Sequence, residues 1–364
     1  MIQKIAIVCD WLTEGFGGAE RVIAAVAKMY PNAPIYTSQY RPSKTDWLPT
    51  TDVRVGWLNR LPVWSRRLIP FLRAYYFSHL DLSSYDVVIS ISGAEAKYVK
   101  TGAKTKHISY IHAPTQYYWG KYDEYYKNPG FGILNPLVRL GLKILISPLK
   151  RADFRYTQRP DILLANSTFV QNEIKKYYKR RSVVVFPPVK VAKSSPPTKQ
   201  RAGFVSIGRL ASWKRFDLSV AAVKKTGDKL LIVGGGPSRQ ALQKAAKGQR
   251  NIKFKPPIHS VRKISQILSS ADGFIFTSQE PFGIAPVEAL MSGVPVIAYR
   301  NGGALDFIID GKNGLFFKHQ TVESLVEAIE KFHTTKFNPS FIKKSAAKFS
   351  EANFKRQIRQ IVGV

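Results

Sequence analysis

A chain of 364 residues is two to three times the usual size of a domain, roughly 100 to 200 residues, and predicts two domains. Hydrophobic residues make up 45% and charged residues 22%, with 22 prolines spread along the chain, which excludes a disordered, collagen-like or coiled-coil protein. Lys and Arg number 56 against 24 Asp and Glu, a formal charge of +32, so the molecule meets polyanions or anionic surfaces where it works.

Ile5–Val8 is a short apolar run of the kind that forms a buried parallel strand. Asp10 stops the run far short of a signal-peptide core. A glycine-rich turn, Gly15–Gly18, leads into an apolar-periodic helix from about Glu20 to Lys28. Similar runs recur at Val87–Ile91, His107–Ile111 and Ile162–Ala165, each separated by enough chain for a helix or long crossover, and such alternation predicts an α/β sheet. Near Phe186 the texture changes to Pro187-Pro188 and Ser194-Ser195-Pro196-Pro197, too proline-rich for a helix or central strand. This predicts a linker over 187–200 between a domain of residues 1–186 and one of residues 201–345.

The second series has strands at Gly203–Ile207, Leu230–Val233, Ile252–Phe254, Gly273–Thr277 and Val294–Tyr299. Helices near Phe216–Lys225, Ser238–Lys247, Val261–Ser269 and Pro286–Ser292 alternate with them, which makes a second doubly wound domain. The tail from Val322 reads as helices with Pro339 between them, and residues 346–364 as a C-terminal helix packing back on the first domain. One cysteine, Cys9, forbids an intramolecular disulfide and fits a reducing compartment, the cytoplasm. No uncharged stretch approaches the roughly 18 residues needed to span a bilayer, so any membrane contact is expected to be peripheral.

The positive charge is uneven. Residues 1–100 hold 12 basic and 8 acidic residues, residues 101–250 hold 29 and 7, and residues 251–364 hold 15 and 9. Ile174 to Phe216 carries twelve Lys or Arg and no acid. The stretch Trp57 to Phe77 interleaves Arg66, Arg67 and Arg73 with Trp57, Trp64, Phe71, Tyr75 and Tyr76, and Leu134–Lys150 is a second apolar and basic segment. Each reads either as an interfacial segment on anionic lipid headgroups or as a core helix with a solvated basic face. A nucleic-acid-binding protein is the alternative the charge suggests, but no recognition-helix, zinc or RNA-binding signature accompanies it.

Three loops carry chemistry. Gly234-Gly235-Gly236-Pro237 leaves the strand Leu230–Val233 as a tight turn, either close-packed or in phosphate contact. Gly208-Arg209-Leu210 leaves another strand, with Lys214 close behind. Two cations at the C-terminal end of a parallel strand suit a diphosphate, or form a solvated basic loop. Glu280-Pro281-Phe282-Gly283-Ile284-Ala285-Pro286-Val287-Glu288 follows a third strand. Pro286 suits the first turn of a helix, so the amides of about Gly283 to Ala285 would form an anion site, with Glu288 in that turn and Glu280 ahead of it. Both carboxylates can accept from sugar or ribose hydroxyls; alternatively Glu288 complements the helix dipole and Glu280 is a surface acid. No Asp-x-Asp and no His/Asp cluster with ligand spacing is present, and no metal or other cofactor is expected.

Glu280 and Glu288, with seven residues between them in the Glu-Pro-Phe-Gly context, resemble the E-x7-E motif of glycosyltransferase family 4, retaining enzymes of the GT-B fold. Asp10 to Glu20 resembles that family's N-terminal glycine loop, and Ile111-His112-Ala113-Pro114 with Tyr117-Tyr118-Trp119 its His-x-Pro segment. Ala165-Asn166-Ser167, the Arg209/Lys214 pair, and Gly302-Gly303 with Asp310–Leu315 also match in order. Pro281, and Asp306 after the Gly-Gly pair, depart from the common pattern.

The resemblance implies two Rossmann-like domains facing across a cleft, the first binding the acceptor and the second a nucleotide sugar. It implies that Arg209 and Lys214 neutralise the diphosphate in place of a metal, that Glu280 binds the donor sugar and that Glu288 binds the ribose. Gly17 and Gly18 would let the backbone approach the phosphates, Phe282, Gly283 and Ile284 would line the donor, and His112 would orient the sugar or stabilise positive charge. Glu20 and Asn166 fall to the acceptor-side loops. Retention by same-face internal return, with the leaving phosphate as base, follows from the family.

The flavour is that of bacterial mannosyltransferases using GDP-mannose, with UDP-linked glucose or N-acetylhexosamine open. The acceptor would be lipid-linked or a glycan, in cell-envelope polysaccharide or glycolipid synthesis at the inner face of the membrane. A GT-B-fold sugar-nucleotide epimerase is the alternative enzyme.

Overall fold

The computed structural model describes residues 3–49, 52–67, 70–127, 129–130, 132–192 and 203–363, without the side chains of Arg66 and Arg67. Residues 193–200 of the expected linker lie outside the described residues, as do those two arginine side chains of the Arg-aromatic segment. The chain divides into two compact units, residues 1–187 with 354–364, and residues 188–353.

The first unit is built on seven parallel strands: β1 Ile5–Cys9, β2 Ile35–Thr37, β3 Val53–Val55, β4 Val87–Ser92, β5 Lys106–Ile111, β6 Ile162–Ala165 and β7 Val183–Val184. Their order is β3-β2-β1-β4-β5-β6-β7. The second unit has six: β8 Phe204–Ile207, β9 Leu230–Val233, β10 Ile252–Lys255, β11 Gly273–Phe276, β12 Val296–Tyr299 and β13 Gly314–Phe317, in the order β10-β9-β8-β11-β12-β13. Both are Rossmann-like, doubly wound sheets whose order reverses beside the first strand of the unit. Parallel strands need crossovers, and helices on both faces bury them, which is why the central strands are near-continuous apolar runs.

Four strands escape a reading by periodicity. Ile35–Thr37, Val53–Val55 and Val183–Val184 are too short for a pattern, and Gly314–Phe317 follows directly on the turn Asp310–Asn313. The helix Glu351–Val362 places Phe354, Ile358 and Val362 on one face, and these pack with Ile7, Ile89, Ile108 and Tyr110 in the core of the first unit. The Lys106 ammonium donates to the Ile361 carbonyl at 2.6 Å.

At the reversal in the first unit, β1 and β4 lie side by side in the register Ile5–Val87 to Cys9–Ile91. The crevice this opens is closed by Asp10. Its buried carboxylate accepts from the amides of Gly93 at 2.8 Å, Ala94 at 3.0 Å and Ala96 at 2.7 Å, and from the Ser92 hydroxyl at 3.1 Å. Burial and then the charge of Glu95 push this carboxyl up, while the Ala96 and Gly93 amides pull it down.

Two buried ion pairs stand behind it. Arg73 meets Glu95 at 2.8 Å, and the hydroxyls of Tyr117 and Tyr118 donate to the same carboxylate at 2.5 and 3.1 Å. Arg73 is therefore a buried partner of Glu95 and not a surface cation, as the Arg-aromatic reading required; Phe77 of the same segment is core. Lys97 meets Asp153 at 2.9 Å. Asp153 also accepts from Tyr98 at 2.5 Å, Thr115 at 3.1 Å, Trp119 at 2.6 Å and Tyr178 at 2.8 Å. Replacing Asp153 by Ala leaves the Lys97 ammonium and these donors without their acceptor. We expect Asp153→Ala to lose about 3 to 5 kcal/mol of stability, read as a lower urea midpoint, against near-neutrality for removal of the exposed Lys100–Asp81 pair.

Candidate active site

Open parallel sheets bind ligands beyond the carboxyl ends of their strands where the winding reverses. In the second unit that place lies between β8 and β11, paired at Phe204–Gly273 and Val205–Phe274. The loop leaving β8 carries Arg209 and Lys214, and the loop leaving β11 carries Thr277, Ser278 and Glu280. The Lys214 ammonium lies 2.9 Å from the Glu280 carboxylate, with both side chains largely buried. Ser278 donates to the same carboxylate at 2.7 Å, and the Thr277 hydroxyl donates to the Lys214 carbonyl at 2.9 Å. Arg209 is exposed and makes no ion pair among the described residues. The result is a constrained cation–carboxylate couple beside a free-standing guanidinium, an arrangement suited to an anion that carries hydroxyl groups.

Glycines let these loops close on their supports. A Cβ on Gly234 would fall 1.9 Å from the Gly208 carbonyl oxygen, and one on Gly236 2.5 Å from that of Leu210. The glycine turn after β9 is thus a close-packed platform under the Arg209 loop, fastened by the Leu210 amide donating to Gly235 at 2.8 Å. Gly302 and Gly303 do the same for the other loop. Their Cβ atoms would meet the Glu280 carbonyl oxygen and the Phe282 backbone at 2.4 Å, and the Gly303 amide donates to Glu280 at 2.9 Å.

The helix after Glu280 runs Ile284–Met291 and starts two residues earlier than predicted, at a Gly283 with φ +104°. Pro286 is its third residue and stays in the first turn, behind Ile284 and Ala285, whereas Glu288 lies buried in the second turn rather than the first. The Phe282 ring is also turned inward, 5.6 Å from Phe349 and 5.9 Å from Phe307, so only its backbone faces the loop. An aromatic at a helix start reaches the core, and sequence order alone does not say which way it turns.

In the first unit, Gly18 opens the helix Gly18–Met29, and the Glu20 carboxylate accepts from the Gly17 amide at 3.1 Å, capping that helix. His112 follows β5 and Asn166 follows β6. The Asn166 side-chain amide donates to the His112 carbonyl at 2.8 Å, which holds the two loops together. The His112 Nε2 and the Asn166 Oδ1 are buried and have no hydrogen-bond partner among the described residues. Burial lowers the His112 imidazole to about 4, so it is neutral at pH 7. The second unit brings Lys214 and Glu280 into contact, with Arg209 on the same loop as Lys214, and carries Gly283, Ile284 and the buried Glu288 at and inside the helix after Glu280. The first holds Gly17, Gly18 and Glu20 at one loop and His112 with Asn166 at another. Sequence reasoning missed Glu95, Lys97, Thr115 and Asp153, because an ion pair formed across 56 residues leaves no local signal.

Residues 190–356 match the family model of glycosyl transferases group 1. This stretch contains Arg209, Lys214, Glu280 and Glu288. Most of the chain is similar to the alpha-1,3/1,6-mannosyltransferase alg2 of Schizosaccharomyces pombe, 24% identical over 85% of this chain and 70% of that protein. It is likewise similar to ALG2 of Mus musculus, 25% identical over 87% and 85%. Among solved structures, the Anabaena protein HepE in complex with UDP and glucose superposes with a TM-score of 0.71, 18% identity and full coverage of both chains. Sucrose-phosphate synthase from Thermosynechococcus elongatus gives 0.69 at 16% identity, covering 100% and 98%. The structural likeness at this identity establishes the GT-B type of fold.

The buried imidazoles make stability depend on pH with a definite sign. Burial lowers His107 to about 3 and His112 to about 4, from an ordinary 6.5, so the unfolded chain binds protons that the folded one refuses. Their contribution is present above pH 6.5 and is lost as pH falls toward 4. Glu173 works oppositely, since burial raises its carboxyl to about 7 and protonation then favours the folded state. The difference between wild type and His112→Gln removes the Glu173 contribution. It should shrink by up to about 1.4 kcal/mol per pH unit below 6.5, measured by urea unfolding across that range.

Proposed function

We propose that the chain is a retaining, metal-independent glycosyltransferase that moves a hexose, mannose from GDP-mannose, to a lipid-linked or glycan acceptor. The observation that carries this reading is the Lys214–Glu280 couple beside exposed Arg209 at the β8/β11 reversal, within the stretch that matches glycosyl transferases group 1. The mannosyl preference is supported by the two ALG2 relatives, which align over most of the chain.

In this reading the bond between the sugar C1 and the diphosphate oxygen breaks, and its electron pair stays on the phosphate. Arg209 and Lys214 stabilise that growing charge, as a metal would elsewhere. The acceptor hydroxyl forms its bond to C1 on the same face, and its proton passes to the departing phosphate oxygen. Glu280, steadied by Ser278, accepts from hydroxyls of the donor sugar. The amides at Gly283 and Ile284 and the Phe282 backbone face the diphosphate, and Glu288 takes the ribose. Gly17 and Gly18 keep side chains away from the phosphates. His112, neutral and with an unpartnered Nε2, orients a sugar hydroxyl, Asn166 holds its loop, and Glu20 caps the glycine loop. The net charge of +32 suits work at the anionic inner face of a membrane, where glycolipid or cell-envelope polysaccharide precursors are assembled.

Arg209→Ala, Lys214→Ala and Glu280→Ala should each lower kcat by about two to three orders of magnitude while leaving the circular dichroism spectrum unchanged. Undiminished turnover in Arg209→Ala would sink the phosphate assignment. A thermal-shift series with GDP-, UDP- and ADP-sugars tests the donor, because a ligand at about 100 times its Kd adds about 2.7 kcal/mol. Stabilisation by a UDP-sugar and not by GDP-mannose would overturn the mannosyl assignment.

A further inference from the structure

We propose that the helix Asn135–Tyr156, with the turn Gly132–Leu134 ahead of it, docks the protein on anionic lipid by lying in the plane of the bilayer interface. This deepens the membrane-surface reading above by naming the element that enters the lipid. Together the two segments make 25 residues, long and apolar enough to cross a membrane by length and composition. A core helix of that character would be covered. Here only Leu149 and Asp153 of the long helix are buried, both near its C-terminal end. Ile133 is 96% exposed, Leu137 67% and Ile144 64%, and Leu140 is exposed beside them. The spacing 133, 137, 140, 144 sets Leu137, Leu140 and Ile144 along one stripe of the helix, with Ile133 of the preceding turn in line, an apolar surface that no other described residue covers.

The stripe is held on a rigid mount. Asp153 is tied by Lys97, Tyr98, Thr115, Trp119 and Tyr178, and Arg139 near the N-terminal end of the helix donates to the carbonyls of Tyr126 at 3.1 Å and Lys127 at 2.7 Å. That mount decides between lying and spanning. To span, the helix would have to drag Asp153 out of its buried network and carry Arg139 and Lys143 into hydrocarbon. In the plane, both requirements vanish: the apolar stripe enters the acyl boundary and the cations stay among headgroups.

Charge selects the occupant. From Tyr125 to Ala152 there are five Lys or Arg and no Asp or Glu. Lys150 lies 5.3 Å from the Trp119 ring and 5.2 Å from that of Tyr122, an aromatic and cationic rim of the kind found at headgroup level. A second copy of the chain would bring an equally basic face against this one, in a molecule of net charge +32. The helix Pro70–His79, which carries exposed Phe71 and Tyr75, touches the same long helix.

The test uses the full chain and needs no substrate. Cys9 is the sole cysteine and is buried, so a Leu140→Cys variant takes an environment-sensitive NBD label at that one site. With vesicles of phosphatidylcholine containing about one-quarter phosphatidylglycerol, the label should shift to the blue and brighten severalfold, and it should do neither with phosphatidylcholine alone. Leu137→Glu/Ile144→Glu, at exposed positions, should reduce vesicle partitioning at least about tenfold with an unchanged urea midpoint. Unshifted fluorescence at residue 140 on bound vesicles, or full partitioning of the double variant, overturns the proposal. So does light scattering that shows a dimer dispersed by the double substitution, which would give the stripe to a second copy. Donor-induced thermal shift in lipid-free solution reads the glycosyl-transfer proposal separately, so failure of one leaves the other standing.

Discussion

The reversal of winding in each parallel sheet is the constraint on which the rest of this molecule depends. Strands buried on both faces must be crossed by helices on both sides, and the change of direction beside β1 and beside β8 leaves a crevice at the carboxyl ends. The two units treat their crevices differently. In the first, Asp10 fills it from within, its carboxylate saturated by three amides and a hydroxyl. In the second, the gap is bordered by Lys214, Glu280 and an exposed Arg209. One reversal has become a structural joint, and the other presents charge to a ligand.

Holding charges near such a gap requires close backbone approach, and this explains the glycines better than a phosphate fingerprint does. Gly234 and Gly236 sit under the Arg209 loop, and Gly302 and Gly303 under the Glu280 loop, each where a Cβ would strike a carbonyl oxygen. Functional side chains are thereby aimed by residues that have none. The buried pairs Arg73–Glu95 and Lys97–Asp153 perform the corresponding task in the first unit, where desolvated charges survive because every carboxylate meets a cation and several hydroxyl or indole donors. The same Asp153 that closes this network roots the long helix whose apolar stripe is exposed among the described residues.

Most of the fold was legible because a strand buried on both faces is mainly apolar, as Val87–Ile89, Ile162–Ala165 and Leu230–Val233 are. Ile35–Thr37 and Val53–Val55 were not, since three residues show no period and their neighbours supply the sheet's hydrogen bonds. In the site, Arg209, Lys214 and Glu280 could be singled out because charge at the end of an apolar run is conspicuous. Phe282 was misplaced for the opposite reason: its ring belongs to the aromatic cluster of Phe307 and Phe349, which lie 25 and 67 residues further along the chain.

By itself the sequence determined the two doubly wound domains and the charged loops that follow their strands, because apolar periodicity and loop composition are local properties of a chain. The fate of individual charges was decided by tertiary structure alone. Arg73, set among aromatics, looked like a surface cation and is buried against Glu95, while the apolar helix near Leu137, which its pattern left open between interface and core, is exposed. Solvation depends on what the fold brings alongside a residue. For Arg73 that is a carboxylate 22 positions away, and for the stripe from Ile133 to Ile144 it is no protein at all among the described residues.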